Sequence, residues 1–351
     1  MKIIHAIFFF NIGGAETMLV DIINRQCKEA SVSLIIINDL INIDLLNTID
    51  KQVNVFLINR KKSNKIQLLP AFIKINQIVN KINPDAIHCH INTLLPFFIR
   101  WKRRTFLTVH SKQLSTLFFK KYRQVFAISA VVKDDIRKRT GIEAKIIYNG
   151  IALKDYQFRN NYNFNPVQEV FKIIQVSRLS QEKGQYIAIE SMRFLKEQHP
   201  DIQLQLFFVG GGDTLTELQT LAIRYNLQDR ITFIGQVDRR WVKTLLKDYH
   251  VLIQPSLVEG FGLTVIEGFA CGLPVIASDL DGPKEIIETL HSGLLVIPNN
   301  PVDLADKIYQ VYQAYISNTL KDSNYILKDK NQLKIFDIQT TAKLYMNHYV
   351  L

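Results

Sequence analysis

Short apolar runs of strand length alternate with longer amphipathic stretches along the chain, and this alternation limits the fold more than any other feature. The first series has apolar runs at 2–10, 32–37, 53–58, 85–89, 105–109, 124–128 and 144–148. A second series passes through Val170–Ser177, Gln203–Val209, Arg230–Ile234, Tyr249–Gln254, Leu273–Ala277 and Gly293–Ile297. Strands separated by helix-length segments build βαβ units and a parallel sheet. Continuous runs such as Leu204-Gln205-Leu206-Phe207-Phe208-Val209 suit strands covered by helices on both faces. Between the series, Asn149 to Pro166 is polar, turn-rich and aperiodic, which reads as a connection. A length of 351 residues suits two domains. The expectation is an α/β chain of two Rossmann-like domains facing each other across a cleft: 1–155, a linker at 156–168, and 169–334.

Composition narrows the class. With 47% hydrophobic and 21% charged residues, the chain has the make-up of a packed globular protein and none of the marks of disorder. Charge is unevenly spread. Residues 1–150 hold 23 Lys and Arg against 10 Asp and Glu, whereas the remainder holds 20 against 22. The basic residues are interleaved with large apolar ones in Phe97-Phe98-Ile99-Arg100-Trp101-Lys102-Arg103-Arg104 and Phe118-Phe119-Lys120-Lys121-Tyr122-Arg123. Such stretches point to an anionic membrane surface before nucleic acid, and no nucleic-acid recognition motif accompanies them.

Cys27, Cys89 and Cys271 lie far apart without CxxC spacing. That argues against a disulfide framework or zinc site and fits a reducing cytoplasm. The apolar opening Met1–Phe10 carries His5 in its interior and ends at Asn11-Ile12-Gly13-Gly14 without a clear cleavage site. It reads as a buried first strand entering a glycine turn, not as a signal peptide. No run approaches the roughly 20 apolar residues of a membrane span. The expected state is soluble, or peripheral on the inner face of the cell membrane.

One segment carries most of the chemistry: Pro255-Ser256-Leu257-Val258-Glu259-Gly260-Phe261-Gly262-Leu263-Thr264-Val265-Ile266-Glu267, followed by Cys271-Gly272-Leu273-Pro274-Val275. It sets two carboxylates eight residues apart, across a Gly-Phe-Gly turn and an apolar helix start, between two apolar strands. In open parallel sheets, ligands bind at the carboxyl ends of strands, and helix N-termini offer N–H groups to phosphate. Eight helical steps would separate Glu259 and Glu267 by about 12 Å. Paired-acid glycosidases hold their carboxyls about 5 Å or about 6.5–9.5 Å apart. A paired-acid hydrolase is disfavoured, unless Glu259 in the loop folds back closer to Glu267.

This Glu-x7-Glu segment resembles the motif of retaining nucleotide-sugar glycosyltransferases of family 4, group 1 type, which have the GT-B fold. The resemblance runs over nearly the whole chain. Asn11-Ile12-Gly13-Gly14-Ala15-Glu16 is similar to the family's first strand–helix loop, where glycines let backbone N–H groups approach donor phosphates or the acceptor. Thr108-Val109-His110-Ser111 places His110 where the family has a histidine close to the transferred sugar. His88-Cys89-His90 is a second strand-end histidine pair, and without a third ligand it gives little reason to infer a metal. Ile128 to Asp134 and Ile147 to Ile151 resemble two structural landmarks, with Ser129 suited to a helix cap and Asn149-Gly150 to a tight turn. Ser177-Arg178-Leu179-Ser180-Gln181-Glu182-Lys183-Gly184 supplies two cations, Arg178 and Lys183, aimed into the expected cleft. Val209-Gly210-Gly211-Gly212-Asp213 departs from the family's Gly-acid-Gly loop, and Leu215 breaks any GxGxxG spacing, which weakens an oxidoreductase reading. Ile234-Gly235-Gln236-Val237 matches the base pocket, while Asp279-Leu280-Asp281 reads as a loop despite its likeness to a DxD metal motif.

The resemblance implies a retaining transferase moving a sugar from a nucleoside diphosphate sugar, a UDP-sugar by frequency in such enzymes, to the hydroxyl of a glycan or lipid-linked acceptor in cell-surface polysaccharide or lipopolysaccharide synthesis. Arg178 and Lys183 would hold the diphosphate, with N–H groups at Gly262, Leu263 and Thr264. Glu267 would bind ribose hydroxyls, and Glu259 the sugar, with Gly260 and Phe261 lining the same loop; Gly13, Gly14 and Gly235 complete the donor contacts. The nucleotide-sugar is a co-substrate, and neither cofactor nor metal is expected. The amphipathic helix at 335–351 would return to the first domain. The competing readings are a nucleotide-sugar epimerase, which would turn over without acceptor, and a non-catalytic sugar-nucleotide-binding subunit.

Overall fold

The computed structural model describes residues 1–11, 13–61 and 65–350, so Ile12 of the first glycine turn lies outside the described residues. The chain forms two compact units, Met1–Ala152 with Ile335–Leu351, and Leu153–Lys334.

The strands of the first unit are β1 (Lys2–Ile7), β2 (Ser31–Asn38), β3 (Asn54–Arg60), β4 (Ala86–Cys89), β5 (Thr105–Val109), β6 (Gln124–Ala127) and β7 (Lys145–Ile146). They lie in the order β3-β2-β1-β4-β5-β6-β7, and every pairing is parallel. Strand order reverses between β1 and β4. The run expected at 2–10 stops as a strand at Ile7, and Phe10 instead makes a single bridge to Ile41 as the chain turns toward Gly13. The terminal helix Ile338–Tyr349 belongs to this unit. It buries Tyr345 and Tyr349 against Phe106 and Phe126 at 5.1–5.2 Å between ring centroids.

The second unit contains β8 (Phe171–Val176), β9 (Leu204–Val209), β10 (Ile231–Gly235), β11 (Val251–Gln254), β12 (Val275–Ser278) and β13 (Leu294–Val296), ordered β10-β9-β8-β11-β12-β13, again all parallel. Helices cover the sheet. Gln185–Gln198 turns Ile187, Ala188, Met192 and Leu195 inward, where they join Leu304, Ile308 and Val311 of Pro301–Ile316 in one core. That second helix starts cleanly because Asn300 accepts from the N–H groups of Val302 and Asp303, and Pro301 occupies a position that needs no donor.

Two expectations change. The segment 156–168 is no free linker, since it packs on the second unit. The Arg159 backbone N–H donates to the Cys271 carbonyl at 2.8 Å, and the Tyr162 hydroxyl donates to the Gly272 carbonyl at 2.7 Å. Its buried Tyr156 and Tyr162 supply apolar area that an asparagine-rich reading overlooks. Asp279-Leu280-Asp281 is only partly loop: Asp281 opens the helix Asp281–Leu290, and Asp279 pairs with Lys284 at 2.7 Å.

Candidate active site

In the second sheet the strand order reverses between β8 and β11, which are hydrogen-bonded neighbours. Their carboxyl ends therefore open side by side, the place where open parallel sheets bind ligands. The loop after β8 carries Arg178 and Lys183, and the loop after β11 carries Glu259. Gly184 lets the loops meet. Its φ is +68°, and a Cβ there would stand 2.0 Å from the Pro255 carbonyl oxygen. The Leu257 N–H donates across to the Glu182 carbonyl at 2.8 Å.

This contact brings Lys183 Nζ to 2.9 Å from Glu259 Oε2, while Gln254 Nε2 donates to the same oxygen at 2.8 Å. The two side chains are only 20% and 16% exposed, so the pair is shielded from salt. Gln175 Nε2 donates to the Lys183 carbonyl at 2.7 Å and holds the backbone in place. Arg178 is not drawn into this pair. Its guanidinium is 67% exposed and donates to Glu182 at 2.7 Å.

Helix Leu263–Ala270 begins at the same edge, with Gly262 as its N-cap in the left-handed region at φ +97°. Phe261 is buried, Gly260, Leu263 and Thr264 are half-buried, and Thr264 Oγ1 donates to the Val176 carbonyl at 3.4 Å. Glu267 lies one turn inside, and the Tyr156 hydroxyl donates to its Oε1 at 2.7 Å. Burial, then the Glu267 carboxylate, pushes the Tyr156 phenol well above its ordinary range, so it remains a donor. Tyr156 was missed because it sits in the stretch read as linker. Gly235 ends β10 at φ +84°, with no atom within 4 Å of where its Cβ would be.

Among the described residues, several buried polar atoms have no hydrogen-bond partner: Gln175 Oε1, Ser180 Oγ, Thr214 Oγ1, Gln254 Oε1, Ser256 Oγ and Ser278 Oγ. Each such atom costs about 1–3 kcal/mol unless something satisfies it. Two of these residues, Ser180 and Thr214, line a cavity of about 650 Å³ together with Arg224 and Leu257.

In the first unit, Gly13 caps helix Gly14–Gln26, and a Cβ on Gly13 would press within 2.5 Å of Glu16 Oε2, whereas one on Gly14 would meet nothing within 4 Å. Burial raises the Glu16 carboxyl above its usual range. His110 stands just beyond β5 and joins a histidine cluster that the sequence reading did not assemble. The third member that the His88–His90 pair lacked is His5, which lies in register with His88 across β1 and β4. Ring nitrogens of His5, His88 and His90 lie within 4.8 Å of one another, the one such potential metal-binding group among the described residues. All their ring nitrogens have hydrogen-bond partners, and those of His88 are taken by the hydroxyls of Tyr349 and Thr108. Burial holds His5 and His110 down at about 4, and His88 and His90 well below their usual range.

Lys102, Arg103, Lys120, Lys121 and Arg123 line a surface hollow of about 620 Å³. Of the interleaved apolar residues, Phe97, Phe98 and Phe119 are buried, Trp101 and Phe118 are half-buried, and Ile99, which lines the hollow, is exposed. No helix of the described residues is long and apolar enough to cross a membrane.

Residues 12–155 match the family described as Glycosyltransferase Family 4, and residues 159–325 match Glycosyl transferases group 1. The chain belongs to the group 1 glycosyltransferases. An uncharacterized glycosyltransferase of Methanocaldococcus jannaschii is 30% identical over 218 residues, which is 58% of this chain and 55% of the relative. A putative colanic acid biosynthesis glycosyltransferase of Escherichia coli is 33% identical over 143 residues, 39% of this chain and 35% of the relative. The chain spans about half the length of the relatives it matches. Among solved structures, Anabaena HepE in complex with UDP and glucose superimposes with a TM-score of 0.79 at 21% identity, covering 99% of both chains. The fold of this group 1 glycosyltransferase is GT-B.

Proposed function

We propose that this chain is a retaining glycosyltransferase that moves a sugar from a UDP-sugar to an acceptor hydroxyl. The carrying observation is the Lys183–Glu259–Gln254 constellation at the switch point of the second sheet, on the loop that leads into a helix N-terminus. The bond from the anomeric carbon to the diphosphate breaks, and one to the acceptor oxygen forms. The acceptor's proton passes to the departing phosphate oxygen. Negative charge grows on the diphosphate as it leaves, and fixed donors aimed at that charge lower the barrier. Lys183, Arg178 and the N–H groups at Gly262, Leu263 and Thr264 supply them without a divalent metal.

Glu259 orients the sugar, Glu267 accepts from ribose hydroxyls, and Gly13, Gly14 and Gly235 let the donor approach the backbone. His110 offers a neutral acceptor for a sugar hydroxyl. Both loop and helix acids are already engaged, Glu259 by Lys183 and Glu267 by Tyr156. Neither stands free as a covalent nucleophile, which favours departure and attack on one face of the sugar.

The choice of uridine draws on the UDP complex of the structural neighbour, and a role in surface polysaccharide assembly on the colanic acid relative. The cationic hollow of the first unit suits an acceptor at an anionic, cytoplasmic membrane face. Flotation with anionic but not neutral vesicles is expected; equal behaviour with both would remove that part.

The deciding experiment is nucleotide release from UDP-, GDP- and ADP-sugars in EDTA, for wild type and Glu267→Ala. Slow release from one donor, lost in the variant, is expected. Absence of both nucleotide release and a thermal shift with every donor would overturn the reading.

A further inference from the structure

The histidine cluster has a direction. Gln26 Nε2 faces the Ala342 carbonyl at 3.4 Å, which leaves Gln26 Oε1 facing His5 Nε2 at 2.8 Å. An amide oxygen only accepts, so His5 Nε2 must carry a proton. A buried neutral ring then has a bare Nδ1. That lone pair lies 3.1 Å from His90 Nε2, which must therefore donate to it. The same logic moves one ring further: His90 Nδ1 accepts, and His110 Nε2, 3.3 Å away, donates. The chain ends at His110 Nδ1, a buried lone pair with no partner among the described residues. Burial keeps these rings neutral, so no extra proton breaks the order.

His88 stands outside the chain. Thr108 Oγ1 donates to the Tyr345 hydroxyl at 3.0 Å, so it accepts from His88 Nε2, and Tyr349 donates to His88 Nδ1. The three rings of the metal-like arrangement, His5, His88 and His90, are thus organised as hydrogen-bond donors and acceptors with no nitrogen left over, and the unpartnered nitrogen belongs to His110.

We propose that Gln26, His5 and His90 are positioning residues that lock His110 in its Nε2–H tautomer, so that Nδ1 is a pure acceptor for a ligand hydroxyl. The idea rests on the glycosyltransferase reading for its ligand, a sugar hydroxyl, but the tautomer lock stands on the geometry of the first unit alone. It excludes an anionic or carbonyl oxygen as the partner of His110 Nδ1, because two acceptors facing each other repel. The lock explains why a cluster with no carboxylate should align three neutral imidazoles end to end from a buried glutamine.

The test is long-range ¹H–¹⁵N correlation on the full chain with labelled histidine near neutral pH, in wild type and in His5→Phe. Wild type should show protonated Nε2 and bare Nδ1 on all three rings. His5→Phe cuts the chain, lets His90 donate in either direction, and should leave His110 as a mixture of tautomers. Donor turnover should then fall in proportion to the fraction of His110 bearing a proton on Nδ1, a correlation that lost packing alone does not produce. A wild-type His110 protonated at Nδ1 would overturn the lock, as would equimolar zinc converting the His5 and His90 nitrogens to metal-bound signals. If the tautomers behave as stated but His110→Ala retains full donor turnover, the link to sugar transfer falls and the donor panel decides the transferase reading separately.

Discussion

Lys183 and Glu259, seventy-six residues apart in sequence, form a 2.9 Å ion pair because β8 and β11 are neighbours where the sheet changes direction. Gln254 holds the same carboxylate oxygen at 2.8 Å, so the acid has a fixed orientation before any ligand arrives. Orientation set in advance is what makes an electrostatic site effective, since no reorganisation is needed as charge develops.

Lys183→Met removes the cation and leaves Glu259 without its partner. Donor turnover should fall by about 10²–10³, the usual loss for one fixed charge-stabilising donor. Rates of nucleotide release under saturating donor measure it; a fall of less than about threefold would exclude Lys183 from the charge-bearing role.

Tyr156→Phe deletes only the hydroxyl that donates to Glu267 Oε1. A hydrogen bond to a charged group contributes about 1.5–3 kcal/mol. If Glu267 binds the ribose in ground and transition states alike, KM for the donor should rise about 10- to 150-fold while kcat holds. Steady-state kinetics read the split, and unchanged KM would free Tyr156 of any positioning role.

Gly184→Ala should be among the more damaging single changes in the second unit. The new methyl meets the Pro255 carbonyl, and the backbone sits in the left-handed region. Strain of this kind costs about 1–3 kcal/mol. Denaturant unfolding should show that loss, whereas Gly14→Ala, which meets nothing, should show none of it.

Acid should destabilise the first unit through its buried rings. His5 is held at about 4 against its usual 6.5, so the unfolded chain binds a proton that the native chain refuses between those values. Stability is full above about 6.5 and declines as pH falls toward about 4, at about 1.4 kcal/mol per pH unit for each such ring. Urea unfolding across this window measures the slope, and His5→Phe should reduce it by about one proton. A slope unchanged in the variant would show that His5 is not neutral in the native chain.

Much of this protein was written in local patterns. Among the described residues, all thirteen strands fall on the apolar runs, because strands buried on both faces must be continuously apolar and the helices between them must not be. Glu259, Gly262 and Glu267 could be picked out because a glycine turn and a helix start are adjacent in sequence. Tertiary structure decided the rest. Arg178 and Lys183 looked alike as loop cations, yet only Lys183 meets Glu259, since the side of the loop each occupies depends on where the next strand lies. Tyr156 reaches Glu267 by packing, and the asparagine-rich stretch around it hid the burial. His5 was one residue in an apolar strand until parallel pairing set it beside His88 and within reach of His90. Spacing along the chain carries no information about which strands become neighbours. The local period decides which elements form, and the strand order decides which side chains can touch.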